Sequence, residues 1–313
     1  MPGYKNTIRF QLMKNSFISL KKIFFVVAFF CLAQTVSAQP FVDLLNVKGQ
    51  YFPASPYVHD DSNKLSVTQY EATFLLPMVQ KNKDVILFGG DYTQLNFNCS
   101  GNISQHSNLY STSLAIGYEK HWKKDKWKTL ILALPKLNSD RIAFSKNNFQ
   151  PGGLLLFNYK KKENLKFHFG AYYNKECFGD FFMPLLGIEW KPNDRLNVWG
   201  DMPANFNVEY KMGKSLYAGA SYLSITGSYN LSSQPEKMFV RDGDKTLGHN
   251  EVKAFVNGYL TKHLVWFVEA GRTFARMYEM YDSNNEVQTN NLIYRRNLDG
   301  WFANTGIAFR FRN

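Results

Sequence analysis

Residues 110–126, YSTSLAIGYEKHWKKDK, decide how the chain is read. Tyr110, Thr112, Leu114, Ile116 and Tyr118 alternate with Ser111, Ser113, Ala115, Gly117 and Glu119. That period of two places bulky residues on one face of a β-strand and small or charged ones on the other. Trp122 to Lys126 then breaks the pattern with a knot of charge, as a tight turn does. A strand of about ten residues exceeds the ~5–6 usual in soluble sheets and suits a tilted crossing of a bilayer.

The same pattern recurs on both sides. Leu165, Phe167, Phe169, Ala171 and Tyr173 alternate with Lys166, His168, Gly170 and Tyr172, and Trp301, Ala303, Thr305, Ile307, Phe309 and Phe311 with Phe302, Asn304, Gly306, Ala308, Arg310 and Arg312. Further short, Lys-rich turns read at Gln80–Asp84, Lys160–Asn164, Lys191–Arg195, Lys211–Ser215 and Thr261–Leu264. Longer polar connections read near 53–64, 98–107, 138–148, 174–181, 228–247 and 280–298, with a shorter one around Asp201–Asn205. Short turns at one end and long loops at the other predict an all-β, antiparallel up-and-down transmembrane barrel of about fourteen strands. Twelve is the alternative, if 195–200 and 205–210 form one hairpin above the membrane. Closure removes the edges that so many strands would otherwise expose. Trp122, Trp127, Tyr159, Trp190, Tyr210, Trp266 and Phe311 fall near strand ends, where amphipathic rings favour a lipid interface.

Composition narrows the class. The chain carries 27 Phe, 18 Tyr and 6 Trp among 313 residues, too aromatic for disorder, and its 3 Cys are too few for a disulfide scaffold. Residues 1–38 read as a cleaved signal peptide that precedes a single barrel domain, 39–313. Lys14, Lys21 and Lys22 are basic, Ile23 to Leu32 is an apolar run too short to span a bilayer, and Val36-Ser37-Ala38 supplies small residues before Gln39. Export to the cell outer membrane of a Gram-negative type is the localisation this implies. Cys99 and Cys177 read as lying in loops of the same end, where a bridge is permitted but not specified. The formal net charge is +12, yet the six tight turns hold 13 basic residues against 4 acidic ones, so positive charge gathers on one rim, suited to lipid head groups. Scattered over turns without stacking partners, it does not indicate nucleic acid.

If the apolar face looks at lipid, then Glu71, Asp91, Glu119, Lys166, His168, Glu189, Glu209, Glu251, Lys253, Glu269 and Arg310 look into the lumen. Such charges either pair and block the barrel or line a water-filled path that conducts small solutes. Carboxylates outnumber Lys and Arg in this set, which favours cations in an open path. A plug from the N-terminal loop or from 228–247 is compatible with fourteen strands. Apolar inward residues Phe255, Tyr259, Val265 and Phe267 suggest a hydrophobic ligand as an alternative cargo. Catalysis finds little foothold: there is no Gly-x-Ser-x-Gly elbow, and the one inward strand histidine, His168, would need Ser111 or Ser113 beside it. Asp242-Gly243-Asp244 lacks the closing acidic residue of a calcium loop, and no Gly-rich phosphate cradle is present, so no metal or cofactor is expected.

Met183 to Tyr222, MPLLGIEWKPNDRLNVWGDMPANFNVEYKMGKSLYAGASY, resembles uncharacterised outer-membrane β-barrels common in Bacteroidota, grouped as a domain of unknown function. The PLLGIEW strand, the Asn193-Asp194-Arg195 turn, the Pro203 region, Val208-Glu209-Tyr210, Pro151-Gly152-Gly153-Leu154 and Ser37-Ala38-Gln39-Pro40 carry the likeness. It implies a barrel in the envelope, hence outer-membrane lipids and the barrel-insertion machinery as partners, and it brings no catalytic residues. Many such barrels end on an aromatic residue, whereas here Phe311 is followed by Arg312 and Asn313. Neither the solute nor the oligomeric state is specified.

Overall fold

The computed structural model describes residues 40–57, 60–100, 105–122, 125–232, 238–244, 248–288 and 298–312. Residues 1–38, expected from the sequence to be a signal peptide, lie outside them. In chain order the strands are β1 (Phe41–Tyr57), β2 (Asp60–Val79), β3 (Val85–Ser100), β4 (Gln105–Trp122), β5 (Trp127–Ala133), β6 (Lys136–Ser139), β7 (Phe149–Gln150), β8 (Gly152–Lys162), β9 (Leu165–Glu176), β10 (Gly179–Trp190), β11 (Leu196–Met202), β12 (Asn205–Lys211), β13 (Leu216–Ile225), β14 (Gly227–Asn230), β15 (Phe239–Asp242), β16 (His249–Tyr259), β17 (Leu264–Phe274), β18 (Tyr278–Tyr281) and β19 (Trp301–Arg312).

Fourteen of these form one closed antiparallel wall, β1-β2-β3-β4-β5-β8-β9-β10-β11-β12-β13-β16-β17-β19. The last strand returns to the first, from Phe41↔Arg312 to Tyr51↔Ala303. The short strands β11 and β12 pair along their lengths with β10 and β13, so they belong to the wall and the count is fourteen. Strands β6 and β7 prolong β5 and β8 beyond Pro135 and Pro151.

The wall is turned inside out relative to a soluble barrel. Leu45, Val47, Ile116, Ile131, Leu186, Val256 and Ile307 are exposed on its outer face. Their alternating neighbours Glu119, His168, Glu209, Glu251 and Arg310 are buried inside. An apolar belt of this extent needs an apolar solvent, which a bilayer supplies. Trp122, Trp190, Tyr210 and Trp266 stand exposed near the turn end, and Trp127 packs on Tyr159 with ring centroids 4.7 Å apart.

The wall has a tall side. Strands β1 to β4 are 16 to 20 residues long, against 7 for β11 and β12. High on this side the polarity inverts. In β3, Ile86 and Phe88 point out below Asp91, but further up Leu95, Phe97 and Cys99 point in while Gln94, Asn96 and Asn98 point out. The same inversion puts Phe52, Leu65, Val67 and Leu109 inside. Tyr51 and Tyr70, each about half exposed, mark the level at which it happens.

Three expected loops are corrected. The polar stretches near 53–64, 98–107 and 174–181 are mostly strand: ladders run to Tyr57↔Asp60, Cys99↔Gln105 and Glu176↔Gly179. Above a bilayer the outward face meets water, so polar residues there mark an exposed strand face rather than a loop. Cys99 accordingly is a buried strand residue, and Cys99 and Cys177 are not bridged to each other.

The inward apolar patch is covered from within. Beyond β13 the chain turns in through β14 and returns through β15, and beyond β17 it adds β18; the three pair as an antiparallel sheet that touches the wall at Asn230↔Ser139. Every residue of β15 and β18 is buried. Tyr229, Leu231, Val240, Tyr278, Met280 and Leu298 form one cluster with Phe52, Leu65, Val67, Leu95, Phe97, Leu109 and Phe302 of the wall. Each such side chain contributes about 1.5–3 kcal/mol by leaving water. The sheet therefore plugs the loop end of the barrel.

Candidate functional site

Below the plug the lumen is polar, and its charges are held by register. Antiparallel pairing sets same-face residues of neighbouring strands opposite one another. So Lys166 meets Glu189 across β9 and β10 at 2.7 Å, Lys48 meets Glu71 across β1 and β2 at 2.9 Å, and Lys128 lies 3.1 Å from Glu119. Lys253 contacts Glu269, which also accepts a hydrogen bond from Asn304 at 2.7 Å. His168 Nδ1 is 2.9 Å from Asp201 and its Nε2 is 3.4 Å from Glu189.

Other contacts cross the lumen. Gln50 of β1 donates to Glu251 of β16 at 2.8 Å. The Arg312 guanidinium donates two bonds of 2.8 Å to Glu209 of β12 and lies 3.7 Å from the Tyr217 ring centroid. Arg310, by contrast, meets its register partner Asp43 on the neighbouring β1, donating to it at 2.8 Å, and lies 3.5 Å from the Phe41 ring centroid. Arg312, the residue after Phe311, thus has the parity to point inward, and its guanidinium bridges β19 to β12 near the turn end. Phe311 stays outside, stacked on His263 at 4.2 Å.

All eleven residues singled out from sequence lie on the inner face. Most are members of these pairs; Asp91 instead accepts the Ser113 hydroxyl at 2.7 Å. Asp43, Lys48, Lys128, Lys136, Glu176, Asp201 and Arg312 share the inner face and were not singled out. Their signal was present: Lys48 alternates with Val47 as Glu71 does with Tyr70. Carboxylates still outnumber Lys and Arg, by less. The histidine is not placed as a catalytic base beside serine, because its ring nitrogens face carboxylates and Ser113 is engaged with Asp91. The inward apolar set does not enclose an apolar cavity: Val265, Phe267 and Ala308 pack together with Tyr259 against them.

A polar latch ties the plug to the wall. Ser228 of β14 donates to Glu176 Oε2 at 2.7 Å and accepts the Cys177 amide at 2.7 Å, while Gln150 and Asn138 donate to the Ser228 carbonyl at 2.9 and 3.1 Å. Glu176 Oε1 is 3.3 Å from Lys136. On the other side Arg276 lies 3.5 Å from the Phe52 ring centroid, and its amide donates to Asp299 at 2.8 Å.

Cavities follow this division. Two open at the turn end, of about 290 Å³ beside Trp199 and Arg312 and about 350 Å³ beside Lys128 and Lys166. One of about 130 Å³ lies among Lys48, Asn207 and Glu269, and one of about 340 Å³ lies directly beneath the plug. At the turn rim the Lys83 ammonium, donating to Asp125 at 2.8 Å, with His121 Nδ1 at 2.9 Å, holds the Asp125 carboxyl down to about 2. The His121 amide at 2.9 Å, with the Tyr118 hydroxyl, holds Asp84 below the ordinary carboxylate range.

Solved structures with similar chain paths include the NanC porin (13% identity, TM-score 0.38, 85% of this chain and 98% of that chain). The TodX monoaromatic hydrocarbon channel deltaS2 mutant is another (9% identity, TM-score 0.43, 90% and 92%). So is an active-site mutant of outer membrane phospholipase A from Escherichia coli (10% identity, TM-score 0.28, 90% and 93%). Comparison with curated protein sequences gives no match. A family model described as Domain of unknown function (DUF6268) matches residues 31–310, and the chain, a fourteen-stranded barrel, belongs to that family.

Proposed function

We propose that this is a non-enzymatic outer-membrane β-barrel that passes small solutes passively and is closed at rest by its plug. One observation carries the reading: the lumen is polar and holds cavities from the turn end to its middle, and among the described residues β14, β15 and β18 cover the inward apolar side chains of the wall at the loop end. In this reading residues 1–38 direct export, the turns face the periplasm, and their Lys-rich rim meets lipid head groups. The outer-membrane lipids contact the apolar belt, and the insertion machinery engages the strand that ends in Phe311. Selection is by size and by a mildly cation-favouring charge set.

The extent of ion pairing supports a second reading, a permanently filled structural barrel whose loops bind envelope partners. Conductance separates the two. Residues 39–313 in a planar bilayer under a salt gradient should open rarely, and Ser228→Ala with Glu176→Gln, which removes the latch, should give frequent, discrete, cation-preferring steps. Silence in both proteins with the heat-modifiable barrel intact overturns transport. A wild-type chain that is open throughout overturns closure at rest.

A further inference from the structure

One carboxylate on the wall of the cavity beneath the plug has no ion pair among the described residues. The cavity wall holds three carboxylates, Glu71, Asp91 and Asp242. Glu71 is paired with Lys48 at 2.9 Å, and Asp242 faces His249 Nδ1 at 3.3 Å. Lys136, the cation that shares the wall, is committed to Glu176 at 3.3 Å. Among the described residues no cation lies within ion-pair distance of Asp91, whose recorded side-chain partner is the Ser113 hydroxyl. A carboxylate withdrawn from bulk water is costly as an unpaired anion, and a bound cation relieves that cost.

The surroundings of Asp91 are specific. In the register of β3 on β4, Asp91 is opposite Ser113 and Thr93 is opposite Ser111, so four oxygen-bearing side chains form two stacked cross-strand pairs on the cavity wall. Leu95, Leu134, Ile225 and Tyr229 make the apolar part of the same cavity. With about 340 Å³, it has room for on the order of ten water-sized groups. We infer that this cavity binds a small organic cation, its primary ammonium held by Asp91 with the hydroxyls of Thr93, Ser111 and Ser113, and its carbon skeleton against Leu95, Leu134, Ile225 and Tyr229. A hard divalent cation is a poorer fit, because it takes six to eight oxygens with several carboxylates, and here one carboxylate is free.

This deepens the transport reading by naming its solute class, yet it is tested without current. The mature barrel in detergent micelles is titrated calorimetrically with 2-phenylethylammonium chloride, with 2-phenylethanol and sodium chloride as controls. The ammonium should bind saturably, Asp91→Asn should weaken it at least tenfold, and Ser113→Ala should weaken it a few-fold, each with heat-modifiable mobility unchanged. Equal binding of 2-phenylethanol would mean a merely apolar cavity, and equal competition by sodium an inorganic cation site. Either outcome overturns the proposal, as does unaltered binding to Asp91→Asn or no binding to the wild type. A barrel that binds the ammonium but never conducts would sink transport and leave this site standing; one that conducts without binding would do the reverse.

Discussion

Toward the loop end, Phe52, Phe97, Val240 and Tyr278 exclude water from the lumen by apolar packing. Toward the turn end, Arg312 with Glu209 and Lys253 with Glu269 fill it with matched charge. The two fillings differ in what holds them. The charges ride on wall strands, and these cannot move without breaking backbone ladders that a bilayer leaves no substitute for. The apolar filling joins wall residues to β14, β15 and β18, which enter and leave through left-handed residues, Gly243 at φ 88°, Gly248 at φ 67° and Ala275 at φ 56°. The three plug strands hydrogen-bond to one another and not into the wall's closed ladder, so the two halves can be perturbed separately.

The largest effect should come from Val240→Asp. Val240 is fully buried in the plug cluster, and an unpaired carboxylate there costs several kcal/mol. The plug should lose its seat while the wall survives, seen as lost hydrogen-exchange protection confined to 227–242 and 276–288. Protection that instead falls throughout the wall would show that the two halves are one cooperative unit.

Glu209→Gln probes the charged half. Glu209 is completely buried and accepts both Arg312 bonds, so its loss leaves a largely buried guanidinium without its counter-charge, a cost of about 3 kcal/mol. The denaturant midpoint of the whole barrel should drop, whereas Lys175→Ala, at the exposed pair with Asp180, should leave it in place.

Ala275→Gly sharpens the hinge. An alanine at φ 56° carries the steric cost of the left-handed region, so glycine should stabilise the seated plug by about 1 kcal/mol, read as slower exchange in β18.

The smallest effect is at the turn rim. The folded Asp125 carboxyl is held at about 2, below the ~3.9 of an unfolded aspartate, so its contribution is full above that higher value and is lost as pH falls from about 4 through 2. Asp125→Asn should flatten acid destabilisation in that window and leave neutral pH unchanged, as followed by thermal melts across pH.

Much of this was legible from single residues. Alternation such as Leu114, Ile116 and Tyr118 against Ser113, Gly117 and Glu119 identifies the outer face, and knots such as Trp122–Lys126 identify the turns. The inner charges follow by parity, and the ones overlooked, Lys48 and Arg312 among them, obey the same rule. What parity misreads is the stretch around Leu95, Phe97 and Cys99. There polar residues still alternate with apolar ones, but the faces have exchanged roles because the strand has left the bilayer.

Local pattern alone determined the strands of the apolar belt, the tight turns and which face looks out there, because each depends only on neighbours two residues apart and on the solvent they meet. The tertiary structure decided which strands count as wall, which carboxylate each Lys or Arg reaches, and that β14, β15 and β18 fold into the lumen. Those outcomes depend on closure, which brings β1 to β19, Glu209 to Arg312 and Val240 to Phe52 across separations in sequence that no local period encodes.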